Sequence, residues 1–343
     1  KITSIPICID SEGAQIRTGK MHNGTACLVE GGLLKINRQP VAGNSKHISF
    51  YPEESIDLVQ IYDLISIDFN TALIQVVEKK SDYLIAKVIT EGSIGSNKAV
   101  SVNRQIRMNP LTRKDEESIK IAVGFGVKHF ALSFANHLED VQAIRHQTPK
   151  NSFIISKIES REGIRNLEAI ADASDAILID RGDLSREEPI ESIPLLQKHI
   201  INKAKSTETK VYVATNLLES MVTQTNPTRA EVNDIFNTLL DGADGLVLAA
   251  ETAIGNNPVG CVNMISKLMD QFNNFNKFDT DISKYEKRSL LIEAHGGSLV
   301  SRVETEPDIQ ELSKLPVLEV DGKIVSDCEQ IATGVYSPLQ GFM

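Results

Sequence analysis

The sequence lacks the features that mark membrane, secreted and nucleic-acid-binding proteins. No apolar run reaches the roughly 18–20 residues of a membrane-spanning helix, and no secretory signal opens the chain. The net charge is -10, so there is no basic surplus with which to hold a phosphate backbone. We therefore expect neither a nucleic acid nor a membrane among its partners.

Cysteine is scarce as well, and its spacing excludes two further classes. The four cysteines lie far apart and form no CxxC pair. This argues against a zinc knuckle and a disulfide framework, and it is typical of a reducing cytoplasm, where we expect this protein. The seven histidines show no triad or HxxxH spacing, so none is assigned to a site. The cysteines are Cys8, Cys27, Cys261 and Cys328.

What the sequence does contain is an alternation of short apolar strands with amphipathic helices. Six runs have the composition of parallel strands covered on both faces. They are residues 5–10, 129–134, 153–158, 176–180, 211–215 and 245–249. Repeated βα units predict an α/β fold with a parallel sheet or barrel. Since a (β/α)8 barrel has two strands more, either the sheet is open or two strands belong to sequence ahead of Lys1.

Two helices have recognisable starts. Thr112, with Asp115 three residues later, is a capping-box-like beginning. A second helix is predicted to run from Pro227, after a cap at Asn226, to a stop near Gly242. Both helices continue the βα rhythm of the surrounding sequence.

That rhythm is interrupted once and later stops. From residue 21 to 103 the sequence changes to alternating strands with glycine turns, which predicts a small all-β domain inserted into the α/β domain. After Phe272 the rhythm ends, and the asparagine-rich residues 273–277 are typical of a linker. The length of 343 residues agrees with about two domains.

The residues that carry chemistry follow two successive strands. Lys157 and Glu159 are two positions apart, so on an extended strand they point to the same side. Asp183 follows the next strand, and in parallel α/β folds the active site lies beyond the carboxyl ends of strands. Two carboxylates and a lysine there indicate a divalent metal and a cationic partner for a developing oxyanion. A structural Lys–Glu ion pair is the alternative.

Seven motifs extend this pattern along the chain. They are DSEGAQIRTG at 10–19, LTRKD at 111–115, ALSF at 131–134, ISKIE at 155–159, ATN at 214–216, NPTRAE at 226–231 and ETA at 251–253. In this order they resemble the pyruvate kinase family over about residues 5–272. The resemblance implies a TIM (β/α)8-type barrel at 1–20 and 104–275, with a β lid at 21–103. It also implies that a first strand–helix–strand unit, with phosphate-binding residues, precedes Lys1.

The tail carries a second resemblance. HGGSLV at 295–300, DCEQIATG at 327–334 and YSPLQGFM at 336–343 are similar to the opening of ATP sulfurylase. This implies a linker at 276–289 and a partial PUA-like segment at 290–343, the start of a fused sulfate-activating module. The nucleotide- and sulfate-binding motifs of that family would lie beyond Met343, so we expect no sulfurylase activity from this chain alone.

Resemblance to pyruvate kinase implies phosphoryl transfer from phosphoenolpyruvate to ADP, giving pyruvate and ATP. Backbone N–H groups at Gly182 and Asp183 would hold the substrate carboxylate, and Thr215 would help to relay a proton. The family also implies Mg²⁺ or Mn²⁺ as cofactor and, we expect, a homo-oligomer. The implied roles are catalysis by Lys157 and Thr215, substrate binding by Ser133, Phe134, Gly182, Asp183 and Thr215, Mg²⁺ binding by Glu159 and Asp183, K⁺ binding by Asp10 and Ser11, and nucleotide binding by Arg17 and Lys98.

Several positions depart from the family pattern. Gln15 is neither the acid nor the lysine that tracks the need for K⁺, so K⁺ dependence stays open. Asp180 stands where the family has a small residue, and its carboxylate would repel an anionic substrate unless Arg181 or Lys157 paired with it. Asn136 replaces an arginine. Further replaced positions are Ser11, Glu12, Ala14, Ser185, Asn216, Ala249 and Ala250.

These departures leave three interpretations. The first is a working pyruvate kinase-like enzyme, which the retained residues Lys157, Glu159, Asp183 and Thr215 favour. The second is a degenerate scaffold or sensor domain, which the altered rim favours. The third is a metal–enolate enzyme that acts on another 2-oxo acid or its enol phosphate.

Overall fold

The chain builds its two main sheets from separate stretches. The computed structural model describes residues 5–68 and 70–278, together with Leu318–Val320 and Lys323–Val325. Strand β1 (Cys8–Asp10) comes first. The insert follows, with β2 (Ile16–Thr18), β3 (Thr25–Leu28), β4 (Leu33–Asn37), β5 (His47–Tyr51), α1 (Ser55–Leu58), β6 (Leu64–Ile67), β7 (Ala72–Lys79), β8 (Tyr83–Thr90), β9 (Gly92–Gly95) and β10 (Ala99–Val102).

The chain then returns to alternating helices and strands. These are α2 (Arg113–Gly124), β11 (His129–Leu132), α3 (Leu138–Gln147), β12 (Phe153–Ile158), α4 (Arg161–Arg165), α5 (Leu167–Ala173), β13 (Ala176–Asp180), α6 (Arg181–Leu184), α7 (Ile193–Ser206), β14 (Lys210–Ala214), α8 (Arg229–Asp241), β15 (Gly245–Val247), α9 (Ala250–Ala253) and α10 (Pro258–Phe278). By themselves, β16 (Leu318–Val320) and β17 (Lys323–Val325) form an antiparallel pair.

The α/β part forms one parallel sheet whose strands follow chain order. Within the described residues this sheet has six strands, β1 and β11–β15. Parallel neighbours need crossover connections, which the intervening helices supply. The carboxyl ends of the strands therefore meet along one edge, and Lys157, Glu159 and Asp183 lie at or just past that edge. The core between sheet and helices is apolar, with Phe130, Ile154 and Ile177 fully buried. The predicted α/β organisation is confirmed.

The insert closes on itself. Seven of its nine described strands form a closed barrel in the order β10-β2-β5-β4-β8-β7-β6, which leaves no free sheet edge within that ring, while β3 and β9 form a separate pair. It has its own core, in which Leu34, Ile36 and Ile74 are fully buried. Strand β2 belongs to this barrel and lies ahead of residue 21, where the sequence pattern begins the insert. The first connection between the two parts is therefore the short segment 11–15.

Capping decides where two helices begin. Helix α2 has the expected capping box, because the Thr112 hydroxyl accepts the N–H of Asp115 while the Asp115 carboxylate accepts the N–H of Thr112. The predicted cap of α8 at Asn226 is wrong. Thr228 caps this helix, because Glu231 bonds back to it and completes a second capping box. The helix ends as predicted at Gly242, whose φ is 104°.

The end of the α/β part differs from the sequence prediction. Residues 273–277, predicted as a linker, are helical and belong to α10. The cost of asparagine in a helix is only a few tenths of a kcal/mol per residue, which the apolar residues around it can offset. The predicted linker beyond Phe278 and the tail motifs at 295–300, 327–334 and 336–343 lie outside the described residues. In the described part of the chain, no helix is both long and apolar enough to cross a membrane.

We predict that the core of the α/β part distinguishes two nearby phenylalanines. Phe130 is fully buried, whereas Phe125 is 86% exposed at the end of α2. Phe130→Ala should lower the free energy of unfolding by roughly 3–5 kcal/mol, because it leaves a cavity. Phe125→Ala should change it by less than about 0.5 kcal/mol. Urea unfolding followed by far-UV circular dichroism measures both. Equal losses in the two variants would contradict the assigned core.

Candidate active site

Lys157 and Glu159 form a buried ion pair at the carboxyl end of β12. Their side chains lie on one side of the strand, and Lys157 Nζ is 3.0 Å from Glu159 Oε1. The ammonium also lies 3.1 Å from Ser133 Oγ and 3.2 Å from Asp10 Oδ2. Burial opposes the charged form of Lys157, but the carboxylates of Glu159, Asp10 and Asp180 outweigh it, so its pKa lies above the ordinary value. The sequence prediction that this pair shares one side of the strand is confirmed.

Three carboxylates meet beside this lysine. One oxygen each from Glu159, Asp180 and Asp183 lies within 4.8 Å of the other two. Burial raises the pKa of Glu159 above its ordinary range; Lys157 opposes that shift, while Asp183 and Asp180 add to it. Glu159 is 1% exposed, and the Lys157 ammonium lies 3.0 Å from its Oε1. Crowded hard oxygen atoms of this kind fit Mg²⁺ or Mn²⁺.

The turn from β13 into α6 is closed by the chain's own side chains. Asp180 caps the helix, since its Oδ1 accepts the N–H of Asp183 at 3.3 Å. The N–H of Gly182 donates to Thr215 Oγ1 at 2.8 Å. Both N–H groups that the sequence analysis assigned to the substrate carboxylate thus have a partner within the protein.

Asp180 and Arg181 point to different neighbours. The Arg181 guanidinium donates to the carbonyl of Thr215 at 2.7 Å and to Asp234 at 2.7 Å. Asp180 Oδ2 instead lies 3.9 Å from Lys157 Nζ. Of the two cations that could pair with Asp180, Lys157 is the one that lies near its carboxylate.

Two site residues have strained backbones. Phe134 has φ of 52°, and its N–H donates to Glu159 Oε2 at 2.6 Å. Thr215 has φ of 68°, which is rare for a β-branched residue. The loop after Thr215 is held by the buried Glu251, which accepts the N–H of Leu218 at 3.0 Å. Strain of this kind persists where surrounding contacts over-determine the backbone, as they do at functional sites.

The predicted K⁺ ligands lie on the same strand edge. Ser11 Oγ accepts the N–H of Ser133 at 3.0 Å. Asp10 Oδ1 accepts the hydroxyl of Ser133 at 3.2 Å, while its other oxygen faces Lys157. Both residues thus contact the ends of neighbouring strands, and Ser133, a predicted substrate contact, lies between them and the lysine.

The two predicted nucleotide residues lie on neighbouring segments of the insert, where Arg17 pairs with Ala99, the residue after Lys98. Arg17 donates to the carbonyl of Asn97 at 3.0 Å, and burial, together with the nearby charge of Arg186, lowers its pKa. Lys98 pairs with Asp68 at 3.1 Å inside the insert. Arg17 is thus the one in electrostatic reach of the carboxylates.

A cleft of about 530 Å³ lies between the strand ends and the insert. Glu159, Asp183 and Arg186 line it from the α/β part, and Ser66 and Ser101 line it from the insert. Its size is that of a small-molecule site.

Arg186 is the cleft residue that sequence reasoning missed. Its guanidinium forms a close ion pair with Asp183. The available signal was the spacing of three residues between Asp183 and Arg186, which brings side chains together on a helical turn.

Comparison with known proteins identifies a family for the part of the chain that contains this site. The family model described as pyruvate kinase, barrel domain, matches residues 1–262. The chain belongs to the pyruvate kinase family. Pyruvate kinases of Thermotoga maritima and Mycobacterium tuberculosis are 35% and 32% identical to it over 268 and 270 residues, or 77% and 78% of this chain. A solved pyruvate kinase structure from Cryptosporidium parvum matches with a TM-score of 0.69 and 34% identity, over 79% of this chain and 58% of that one.

The match covers part of each pyruvate kinase. The chain spans 58% and 57% of the length of the Thermotoga and Mycobacterium relatives. A PUA-like domain model matches residues 292–343. The fold prediction is therefore confirmed as a pyruvate kinase-type α/β barrel followed by a PUA-like segment.

We predict that Mg²⁺ or Mn²⁺ binds between Glu159 and Asp183. Asp183→Ala should weaken the binding of Mn²⁺ alone by at least about 10-fold, because it removes a charged oxygen ligand. Asp172→Ala, which removes an exposed carboxylate from α5, is the matched control and should bind as the wild type does. Isothermal titration calorimetry measures all three proteins. Equal affinity in wild type and Asp183→Ala would contradict the assignment.

Proposed function

We propose that this protein transfers a phosphoryl group between phosphoenolpyruvate and ADP. The observation that carries the proposal is the buried ammonium of Lys157 beside Glu159, with Asp183 in metal-binding range of that glutamate. Phosphoryl transfer needs little covalent chemistry from the protein and depends on positioning and charge neutralisation. A cleft lined from both domains supports a site for two small substrates.

Glu159 and Asp183 would hold the divalent metal. Their fit is supported by the crowding of carboxylate oxygens and by the near-complete burial of Glu159. When bound, the metal would supply Lewis-acid neutralisation of negative oxygens. Asp10 and Ser11 remain our proposal for a monovalent cation, although both already contact Ser133.

Lys157 would neutralise the charge that develops on the transferring phosphoryl group and on the enolate. Its contacts with Ser133 and Asp10 hold the ammonium in one position, so it needs no reorganisation as charge moves. Thr215 would lie beside the carbon that takes the proton, with its hydroxyl oriented by the N–H of Gly182 and by the carbonyl of Ala214.

The nucleotide would lie on the side of Arg17. The half-buried guanidinium of Arg17 is repelled by the nearby charge of Arg186, so an anionic phosphate beside it would be favourable. Lys98 would join it only on release from Asp68, because its ammonium pairs with that carboxylate.

We also propose that the PUA-like segment opens a sulfate-activating module. Its support is the PUA-like match at 292–343 together with the HGGSLV and YSPLQGFM motifs, which resemble the start of ATP sulfurylase. ATP made by the first module would then be available to the second.

We predict that Lys157→Met retains the fold but lowers phosphoryl transfer by at least about 10²–10³-fold, since the main electrostatic partner of the transition state is lost. Lys120→Met, at an exposed position on α2, is the matched control and should keep full activity. A coupled assay with phosphoenolpyruvate and ADP on the full protein measures this. Absence of turnover in the wild type with every nucleoside diphosphate would favour the scaffold interpretation or another 2-oxo acid.

Removal of the tail should separate the two proposed activities. A chain ending at Phe278 keeps α10 whole, so we expect it to retain phosphoryl transfer. It should lose any sulfate-dependent release of pyrophosphate from ATP that the full protein shows. Loss of phosphoryl transfer in a truncated chain that still folds would mean that the two modules depend on each other.

A further inference from the structure

The start of helix α6 offers two backbone N–H groups at the edge of the metal site, and the chain fills both. Gly182 donates to the hydroxyl of Thr215 at 2.8 Å, and Asp183 donates to the carboxylate of Asp180 at 3.3 Å. Such N–H groups at the end of a strand favour a negatively charged oxygen. Here the chain supplies a neutral hydroxyl to Gly182 and a negatively charged oxygen to Asp183.

The carboxylate that caps this turn is largely buried. The Asp180 side chain is 13% exposed. An external carboxylate that accepted the N–H of Asp183 would therefore have to displace Asp180.

Asp180 also contacts the remaining partners that an anionic ligand would use. Its second oxygen lies 3.9 Å from the ammonium of Lys157. One of its oxygens lies within 4.8 Å of ligand oxygens of Glu159 and Asp183, within the range of a shared metal. One carboxylate of the chain thus lies close to the helix start, to the lysine and to the proposed metal position.

We propose that the Asp180 carboxylate occupies the position that a substrate carboxylate would take. There it is a further ligand for the metal, and it competes with substrates that carry a carboxylate. Asp180 is a specificity-determining residue that weakens the binding of 2-oxo acids and their enol phosphates, relative to substrates without a carboxylate at this point. This inference rests on the metal–enolate site proposed above. A cap with no further role is the alternative, and it predicts that neutral substitution changes neither metal nor anion binding.

Two variants separate the charge of Asp180 from its capping role. Asp180→Asn keeps an oxygen that can cap Asp183 but removes the charge, since asparagine caps helices as well as aspartate. Asp180→Ala removes both. Asp172→Asn, on the exposed face of α5, changes the net charge equally and serves as the control.

Calorimetry on the full protein gives two readouts of opposite expected sign. Mn²⁺ titrated alone should bind both Asp180 variants roughly 10-fold more weakly than wild type, because a carboxylate is lost. Oxalate, a dicarboxylate that chelates the metal, titrated at saturating Mn²⁺, should bind Asp180→Ala at least about 10-fold more tightly, because like charges repel strongly at short range. The Asp172→Asn protein should match wild type in both titrations.

Oxalate binding to Asp180→Ala that is no tighter than to wild type would overturn the proposal, and so would unchanged Mn²⁺ affinity in both variants. If Asp180→Ala does not fold, Asp180→Asn provides the same test, with weaker Mn²⁺ binding and tighter oxalate binding expected. These readouts need no turnover. Tighter oxalate binding to the Asp180 variants, without phosphoryl transfer in any protein, would contradict the proposed function and support this inference. Turnover with unchanged oxalate affinity would support the proposed function and contradict this inference.

Discussion

The buried ion pair between Lys157 and Glu159 is the constraint on which the site depends. A carboxylate that is 1% exposed is costly to bury unless a cation and hydrogen-bond donors meet it. Lys157 at 3.0 Å and the N–H of Phe134 at 2.6 Å provide them. The lysine ammonium in turn contacts Ser133 and Asp10, which lie at the carboxyl ends of the two preceding strands of the sheet. One pair of charges thus ties together the carboxyl ends of β1, β11 and β12.

The loops around this pair are held in position before any ligand arrives. Phe134 and Thr215 have left-handed backbones, at a cost that the fold sustains through fixed contacts. Arg181 holds the carbonyl of Thr215, and Glu251 holds the loop that follows it. An arrangement set in advance in this way suits a reaction in which fixed charges act on a developing oxyanion.

Two residues add charge beside Glu159 and Asp183, and their charges are opposite. Asp180 adds a carboxylate beside Glu159 and Asp183, and Arg186 adds a guanidinium that pairs with Asp183. Together they change which positions a ligand can occupy beside Glu159 and Asp183.

Local sequence determined much of this protein, because strand composition, residue spacing and capping depend on neighbours in the chain. The parallel strands, the capping box at Thr112 and the shared side of Lys157 and Glu159 all follow from such short-range rules. The cap of α8 shows the limit, since the sequence predicted Asn226 and the back-bond from Glu231 selects Thr228 instead. Only the tertiary structure decided which groups meet across the sheet edge. Gly13, for example, donates to Asp115 from 102 residues away, and Asp180 caps a turn whose other N–H is taken by Thr215. Distances of this kind are set by strand register and crossover, which no local pattern of side chains encodes.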